Sequence, residues 1–325
     1  MRLVFAGTPE PAAAVLAHLI DSDHTVEAVI TRPDARKGRG RTLHPSPVAE
    51  LAEKHGIEVL KAAKLTAEDE GGAVVRQRLA EIAPDCIPVV AYGALVPKDL
   101  LDVVEHGWVN LHFSVLPQWR GAAPVQAAIA AGQKETGATV FRIDEGLDTG
   151  PVLSTMTTTI DDDDTTETLL SRLAEEGGQL MVDTFSALER GDITLKEQVG
   201  EASYAHKITT DDARIDFTRC AHDVSCHIRA VTPAPGAWCE MGDQRIKLGP
   251  VTEYGGELDV VLDPGLMVLQ KKQVLVGTGT TPVVLSTIQV PGKKFVPAAD
   301  WGRSQQPGEE LIQIDGRDYP YRRLQ

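Results

Sequence analysis

The sequence predicts an α/β fold, a doubly wound parallel sheet, followed by a small C-terminal β-barrel domain. Three observations predict it. Short apolar runs alternate with helical patterns through the first 190 residues, the mark of a parallel sheet covered on both faces. After Gly191 the pattern becomes short Val/Ile/Leu runs broken by Gly and Pro, which reads as barrel strands. The length of 325 residues exceeds one small domain, so two domains are expected. The expected bounds are 1–190 for the first domain, 191–206 for a linker and 207–325 for the second.

The elements follow in order. Leu3–Ala6 is a buried strand that passes through Gly7-Thr8-Pro9 into a helix over Pro11–Ile20. Val26–Thr31 is a second strand. Ser46-Pro47 opens the next helix, with serine as cap and proline in the first turn. Glu58–Leu60 is a brief strand, and Thr66 caps a helix running to about Ile82. Cys86–Tyr92 and Trp108–Leu111 are further strands, and Pro124–Ala131 is a short helix. Val140–Ile143 and Val152–Ile160 read as a hairpin that returns to the sheet. Thr165–Arg190 carries Leu169, Leu173, Leu180, Met181, Phe185 and Leu188 at helical spacing and closes a Rossmann-like domain. Gly191–His206 is polar without a period and suits a linker. His222–Val231 is a helix, and the strands from Gly236 to Tyr321 form the OB-like second domain.

Composition sets further bounds. Apolar residues make up 42% and aromatics only 5%, so aliphatic side chains carry the core. Lys plus Arg number 32 against 47 Asp plus Glu, a net charge of −15. A chain this acidic is not built to coat nucleic acid or anionic membrane with its whole surface. The acidity is unevenly placed: residues 1–205 hold 18 basic and 32 acidic groups, residues 206–325 hold 14 and 15. Four cysteines without a Cys-x-x-Cys suit a reducing cytoplasm. Pro9, Glu10 and Pro11 interrupt the apolar run a signal peptide needs. Gln273–Gly292 is uncharged, but its Gly277, Gly279, Pro282 and four threonines make it two strands and a turn rather than a membrane span. A cytoplasmic protein without membrane contact is expected.

The opening Phe5-Ala6-Gly7-Thr8-Pro9-Glu10 has the shape of a dinucleotide loop but lacks its second and third glycines. A nicotinamide oxidoreductase is thus poorly supported, and a plain βα turn is the simpler reading. The densest chemical segment is Asn110 to Gly121. Strand alternation puts Asn110 and His112 on one face, opposite Leu111, near the C-terminal end of a parallel strand, where open α/β sheets bind ligands. Asp144-Glu145-Gly146-Leu147-Asp148-Thr149-Gly150 is a polar loop after another strand. An amide, an imidazole and a carboxylate suffice for acyl chemistry: Asn110 can donate to a developing oxyanion, while His112 and Asp148 can move a proton. A hydrogen-bonded structural histidine is the competing reading.

The Asn110-Leu111-His112 strand, the Ser114-Val115-Leu116-Pro117 loop, Arg120-Gly121-Ala122-Ala123-Pro124 and Gly146-Leu147-Asp148-Thr149-Gly150 resemble the folate-dependent formyltransferases. The likeness spans nearly the whole chain and is nearest to the branch that formylates methionyl initiator tRNA. Phe113 stands where many relatives carry glycine, which narrows the expected pocket. The resemblance implies transfer of the formyl group of 10-formyltetrahydrofolate to the α-amino group of methionyl initiator tRNA, with no metal. It implies catalysis by Asn110, His112 and Asp148, and folate contacts from Ser114, Val115, Leu116, Pro117, Val90, Tyr92 and Gly93. A monomer is the simplest expectation. Rivals are a formyltransferase for a nucleotide-sugar amine, a formyltetrahydrofolate hydrolase, and a non-catalytic tRNA-binding module.

Arg32-Pro33-Asp34-Ala35-Arg36-Lys37-Gly38-Arg39-Gly40-Arg41 has five basic residues and one acidic. Composition alone also suits a solvated surface loop. Its place after a strand end, with the resemblance, favours a loop in which Arg36, Lys37, Arg39 and Arg41 touch tRNA phosphates. Cys220, His222, Cys226 and His227 invite a zinc reading, but four ligands cannot converge from one helix at this spacing. Asp161–Asp164 suits a helix cap better than a cation site.

Overall fold

The structure, a computed structural model, describes residues 1–37, 42–305 and 310–325. It forms two units. Unit 1 takes Met1–Pro124, Glu135–Thr159 and Leu170–Ala205; unit 2 takes Val125–Lys134, Ile160–Leu169 and His206–Gln325.

The first half of the chain runs β1 (Arg2–Gly7), α1 (Glu10–Ile20), β2 (Thr25–Thr31), the hairpin β3 (Ala35–Lys37) and β4 (Thr42–His44), α2 (Pro47–Lys54), β5 (Glu58–Lys61) and α3 (Glu70–Ile82). It continues through β6 (Ile87–Val90), α4 (Lys98–Leu101), β7 (Trp108–His112), β8 (Arg120–Gly121), α5 (Pro124–Ala130), β9 (Glu135–Arg142), β10 (Val152–Thr159), α6 (Thr166–Glu189) and β11 (Tyr204–Ala205).

Seven strands order as β10-β9-β7-β6-β1-β2-β5. β5, β2, β1, β6 and β7 pair in parallel, whereas β9 and β10 add antiparallel. The expected parallel sheet and returning hairpin are both present. Winding reverses between β1 and β6, which opens a crevice beyond the C-terminal strand ends. Gly7 sits there because an added Cβ would lie 2.9 Å from the Val90 carbonyl. Its role is close approach of two strands, consistent with a plain βα turn.

Local chemistry explains most element ends. Ser46 Oγ accepts the Ala49 N–H at 3.1 Å and caps α2, as expected, and it also bonds Thr31 Oγ1 at 2.6 Å. The helix expected from Thr66 begins instead at Glu70, because Asp69 caps it through the Gly72 N–H at 2.9 Å. At the start of α6, Thr168 N–H donates to Thr165 Oγ1, while Asp164 accepts from the Thr168 hydroxyl.

Residues 191–206, expected to link two domains, lie mostly along unit 1. Lys196 and Val152 exchange backbone bonds of 2.7 and 2.9 Å, and Ser203 and Ala205 bond the backbone of residues 117–123. A polar segment without a period still forms structure when exposed loop backbones offer it partners.

Unit 2 contains α7 (Ala221–Ala230), then β12 (Trp238–Met241), β13 (Gln244–Leu248), β14 (Val251–Glu253), β15 (Leu266–Leu269), β16 (Val274–Val276), β17 (Val283–Leu285), β18 (Thr287–Gln289), β19 (Val296–Pro297), α8 (Ala298–Ser304), β20 (Leu311–Ile314) and β21 (Arg317–Arg323). The strands make two sheets, β12-β13-β18-β19 and β14-β17-β16-β15-β21-β20, with antiparallel pairing throughout. The uncharged Gln273–Gly292 stretch becomes three of these strands. Their core holds Ile228, Trp238, Ile246, Met267 and Val283. The segment 160–169 joins this unit because Thr166 Oγ1 donates to the Ala230 carbonyl at 2.6 Å and Arg229 Nη1 to the Asp164 carbonyl at 2.8 Å. Among the described residues, no helix is long and apolar enough to cross a membrane.

Ser46→Ala removes a cap and leaves Thr31 short of a buried partner. Each effect is worth about 1 kcal/mol, so denaturant unfolding should show a loss of about 1–2 kcal/mol.

Candidate active site

A cavity of about 730 Å³ opens beyond the C-terminal ends of β6 and β7, within the usual range for a small-molecule site. Asn110 and His112 lie two residues apart on β7 and both line it. Leu111 points the other way, toward Gly177 of α6. Asp148, from the loop between β9 and β10, lines it as well.

His112 is only 6% exposed. Its Nε2 lies 2.9 Å from the Trp119 carbonyl. A carbonyl only accepts, so Nε2 carries the hydrogen and neutral Nδ1 is bare. Nδ1 faces Asp148 Oδ2 at 3.8 Å. Burial pushes the pKa of the ring below its ordinary value, against the opposing pull of the Asp148 carboxylate and the Trp119 carbonyl. The site therefore holds a neutral imidazole whose open nitrogen faces a carboxylate. Phe141 of β9 meets the ring edge-on at 6.4 Å.

Asp148 is fixed from the opposite loop. Its Oδ2 accepts the Gly121 N–H at 2.7 Å. Asp148 has φ 52° and Trp119 has φ 58°, a left-handed conformation that costs about 1–2 kcal/mol for ordinary residues and less for Asp. A hydrogen bond to a charged group is worth about 1.5–3 kcal/mol, enough to hold the strained backbone at Asp148. The loop is closed by Asp144 Oδ1, which accepts from Gly146 N–H at 3.0 Å and from Thr149 Oγ1 at 2.7 Å. Gly150 has to be glycine, since an added Cβ would sit 1.8 Å from the Arg142 carbonyl.

The structure brings Asn110, His112 and Asp148 together at one cavity. Of the other expected ligand residues it brings only Tyr92 and Gly93 to the wall, on the loop after β6. Val90 is fully buried in the sheet. Ser114, Val115, Leu116 and Pro117 do not line the cavity. That loop turns inward: Ser114 Oγ donates to the Gln118 carbonyl at 2.6 Å, and Thr139 Oγ1 donates to the Ser114 carbonyl at 2.7 Å. Its polar residues bond the sheet and position Trp119. Phe113, Leu101, Val96 and Ile143 supply apolar wall instead, and Leu95, 88% exposed, stands at the mouth. Sequence reading missed Val96, Leu101 and Ile143, because apolar residues near strand ends look like core. It also missed the Trp119 carbonyl and the Gly121 N–H, since backbone groups leave no mark in a residue pattern.

The flanks of the basic segment form a hairpin, Ala35 pairing with His44 and Lys37 with Thr42. Arg36 is exposed on it. Arg39 and Arg41 lie outside the described residues, and of Lys37 only the backbone is described. Arg32 is part of the scaffold, its guanidinium donating to the Ala63 carbonyl. In unit 2, Cys220 caps α7 through the Asp223 N–H and Cys226 accepts from Arg229. Among the described residues, no group of three or more His, Cys, Asp or Glu could hold a metal ion.

Comparison with known proteins fits this geometry. Residues 1–185 match the formyl transferase family and residues 207–306 match the formyl transferase C-terminal domain; the chain belongs to the formyl transferase family. A methionyl-tRNA formyltransferase of Corynebacterium glutamicum strain R is 62% identical over 312 residues, 95% of this chain and 99% of that one. Two solved structures share the fold. One is the N-formyltransferase of Helicobacter canadensis, in complex with folinic acid and dTDP-3-aminofucose (TM-score 0.66, 17% identity, 89% of this chain and 98% of that one). The other is the methionyl-tRNA formyltransferase of Clostridium thermocellum (TM-score 0.55, 17% identity, 79% of this chain and 95% of that one).

The buried ring sets a pH dependence. The unfolded chain protonates His112 near pH ~6.5, whereas the folded chain does so only at lower pH. The stability contribution of the neutral ring is therefore complete above about pH 6.5 and is lost as pH falls toward the folded midpoint. An NMR titration should place the His112 midpoint below the ordinary value, and Asp148→Asn should lower it further by removing the charge that favours the cation.

Proposed function

We infer that this chain transfers a formyl group from 10-formyltetrahydrofolate to the α-amino group of methionyl initiator tRNA, producing formylmethionyl-tRNA. The observation that carries the reading is the joining of Asn110, His112 and Asp148 at one cavity in a chain 62% identical, nearly end to end, to a methionyl-tRNA formyltransferase.

The cavity suits a donor with a flat ring system and a polar reacting end. Val96, Leu101, Phe113 and Ile143 offer apolar surface, and the Tyr92–Gly93 backbone offers polar groups beside it. The donor supplies the electrophilic formyl carbon. Asn110 donates its side-chain N–H to the formyl oxygen as negative charge develops there. His112 Nδ1 accepts the proton that the attacking amine sheds, and Asp148 opposes the resulting positive charge from 3.8 Å. The protonated Nδ1–H then donates to the departing folate nitrogen. Nε2 stays bound to the Trp119 carbonyl and keeps the ring aligned throughout. No step calls for a metal.

The acceptor is a polyanion, and the chain offers it local positive charge. Arg36, Lys37, Arg39 and Arg41, in the basic stretch that follows β2 in sequence, contact acceptor-stem phosphates, and exposed Lys271, Lys272, Lys293 and Lys294 of unit 2 add weaker contacts.

Incubation with 10-formyltetrahydrofolate and methionyl initiator tRNA should yield formylmethionyl-tRNA. Product on a sugar amine, and none on tRNA, would overturn the reading. Asp148→Asn should lower turnover by at least about 100-fold, the scale of an acid–base group. Arg39→Ala should weaken tRNA use and flatten its salt dependence while folate binding stays unchanged; tRNA kinetics unaltered across salt would remove the hairpin from the acceptor site.

A further inference from the structure

Gln198 lies in the polar segment between α6 and β11, the stretch whose sequence reads as a linker. Its carboxamide uses both ends. Nε2 donates to the Asp148 carbonyl at 2.8 Å and to the Gly150 carbonyl at 2.9 Å. Oε1 accepts from Arg120 Nη2 at 2.6 Å and Arg120 Nε at 3.2 Å. One side chain thus joins the loop that carries Asp148 to the loop that carries Trp119 and Gly121.

The neighbouring backbone repeats the pattern. Ser203 Oγ accepts the Trp119 N–H at 2.9 Å, and the Ser203 carbonyl accepts the Arg120 N–H at 2.9 Å. Lys196 pairs with Val152, at the far end of the Asp148 loop. The segment therefore grips two residues, Trp119 and Asp148, that hold left-handed backbone. Residues in that conformation persist when their surroundings over-determine them. Here the bonds from Gln198 and Ser203 add to the Gly121–Asp148 bond that joins the two loops directly.

We propose that Gln198 is a positioning residue for the transfer reaction: it sets the carboxylate of Asp148 against His112 by locking the Asp148 loop to Arg120. The proposal rests on the reading of Asp148 given above. Gln198 touches neither donor nor acceptor. It acts through the 3.8 Å spacing of His112 and Asp148, and loss of such registry costs about 10–100-fold in rate.

A double-mutant cycle on turnover with 10-formyltetrahydrofolate and methionyl-tRNA tests it. Gln198→Ala should lower kcat about 10–100-fold with KM for the folate near wild type. Gln198→Glu keeps an acceptor for Arg120, and so the fold of the segment, but loses the two donors to the Asp148 loop; it should lose as much kcat. Combined with Asp148→Asn, either substitution should add little, because groups that act as one unit are not additive. The His112 ring, followed by NMR, should titrate lower in Gln198→Ala, the same direction as in Asp148→Asn. Among the described residues, Asp148 is the one charged group acting on that ring. Losses that add in full, or a His112 midpoint unmoved by Gln198→Ala, would overturn the proposal while leaving the role of Asp148 intact. An Asp148→Asn enzyme of normal turnover would overturn both.

Discussion

The bond from the Gly121 N–H to Asp148 Oδ2 is the interaction on which the rest of the site depends. It joins loops 27 residues apart, one following β7 and the other linking β9 to β10. Each loop alone positions half of the chemistry. The first holds His112 through the Trp119 carbonyl, and the second carries the carboxylate. With the bond in place, Nδ1 faces a fixed negative charge at 3.8 Å. β7 and β9 are adjacent antiparallel strands, and the bond joins the loops that follow them at one cavity, which Gly121 and Asp148 both line.

The same local character governs the charge of the chain. Most acidic excess lies in residues 1–205, yet many basic groups there sit beside acidic partners. Arg76 meets Asp99, Arg78 meets Glu58 and Glu81, Arg142 meets Asp102 and Lys98 meets Glu145. Such exposed pairs contribute little stability, about 0–1 kcal/mol each. Their larger effect is to cancel positive charge over the body of unit 1. In the sequence, Arg36, Lys37, Arg39 and Arg41 stand together against that acidic balance. A net charge of −15 is thus a sum over unevenly placed groups, and on its own it does not exclude a polyanionic ligand.

Much of the fold was legible because it follows from period and punctuation. Ser46-Pro47, the apolar runs at Leu3–Ala6 and Val26–Thr31, and the long helix to Glu189 all carry local signals. The face of β7 that lines the cavity was legible for the same reason, since a strand with Asn110 and His112 two apart can present both to one side. The illegible parts depend on backbone partners far along the chain. For Ser114 to Pro117, the resemblance implies folate contacts, and none of the four lines the cavity. Folding instead spends those polar groups on the Gln118 carbonyl and on Thr139. Residues 191–206 looked like a linker because nothing in their own pattern predicts the carbonyls of Asp148 and Gly150. A glutamine that bridges two loops has no period to betray it.

Hydrogen-bonding capacity around the cavity then shows where a ligand belongs. Ser114, Arg120, Asp144 and Thr149 are each paired within the protein, and Asp148 is held by Gly121. His112 is half used, with Nε2 engaged and Nδ1 beyond hydrogen-bond length from Asp148. Asn110 has no side-chain hydrogen bond among the described residues. A half-buried polar group without a partner carries a standing cost, which a bound ligand relieves. The two groups left open are the ones that strand alternation places together, one a donor and the other a proton acceptor. A planar acyl group undergoing attack by an amine presents the matching pair: an oxygen gaining charge and a nitrogen losing a proton. The saturated groups build the shape, and the two unsaturated ones are left to meet a ligand.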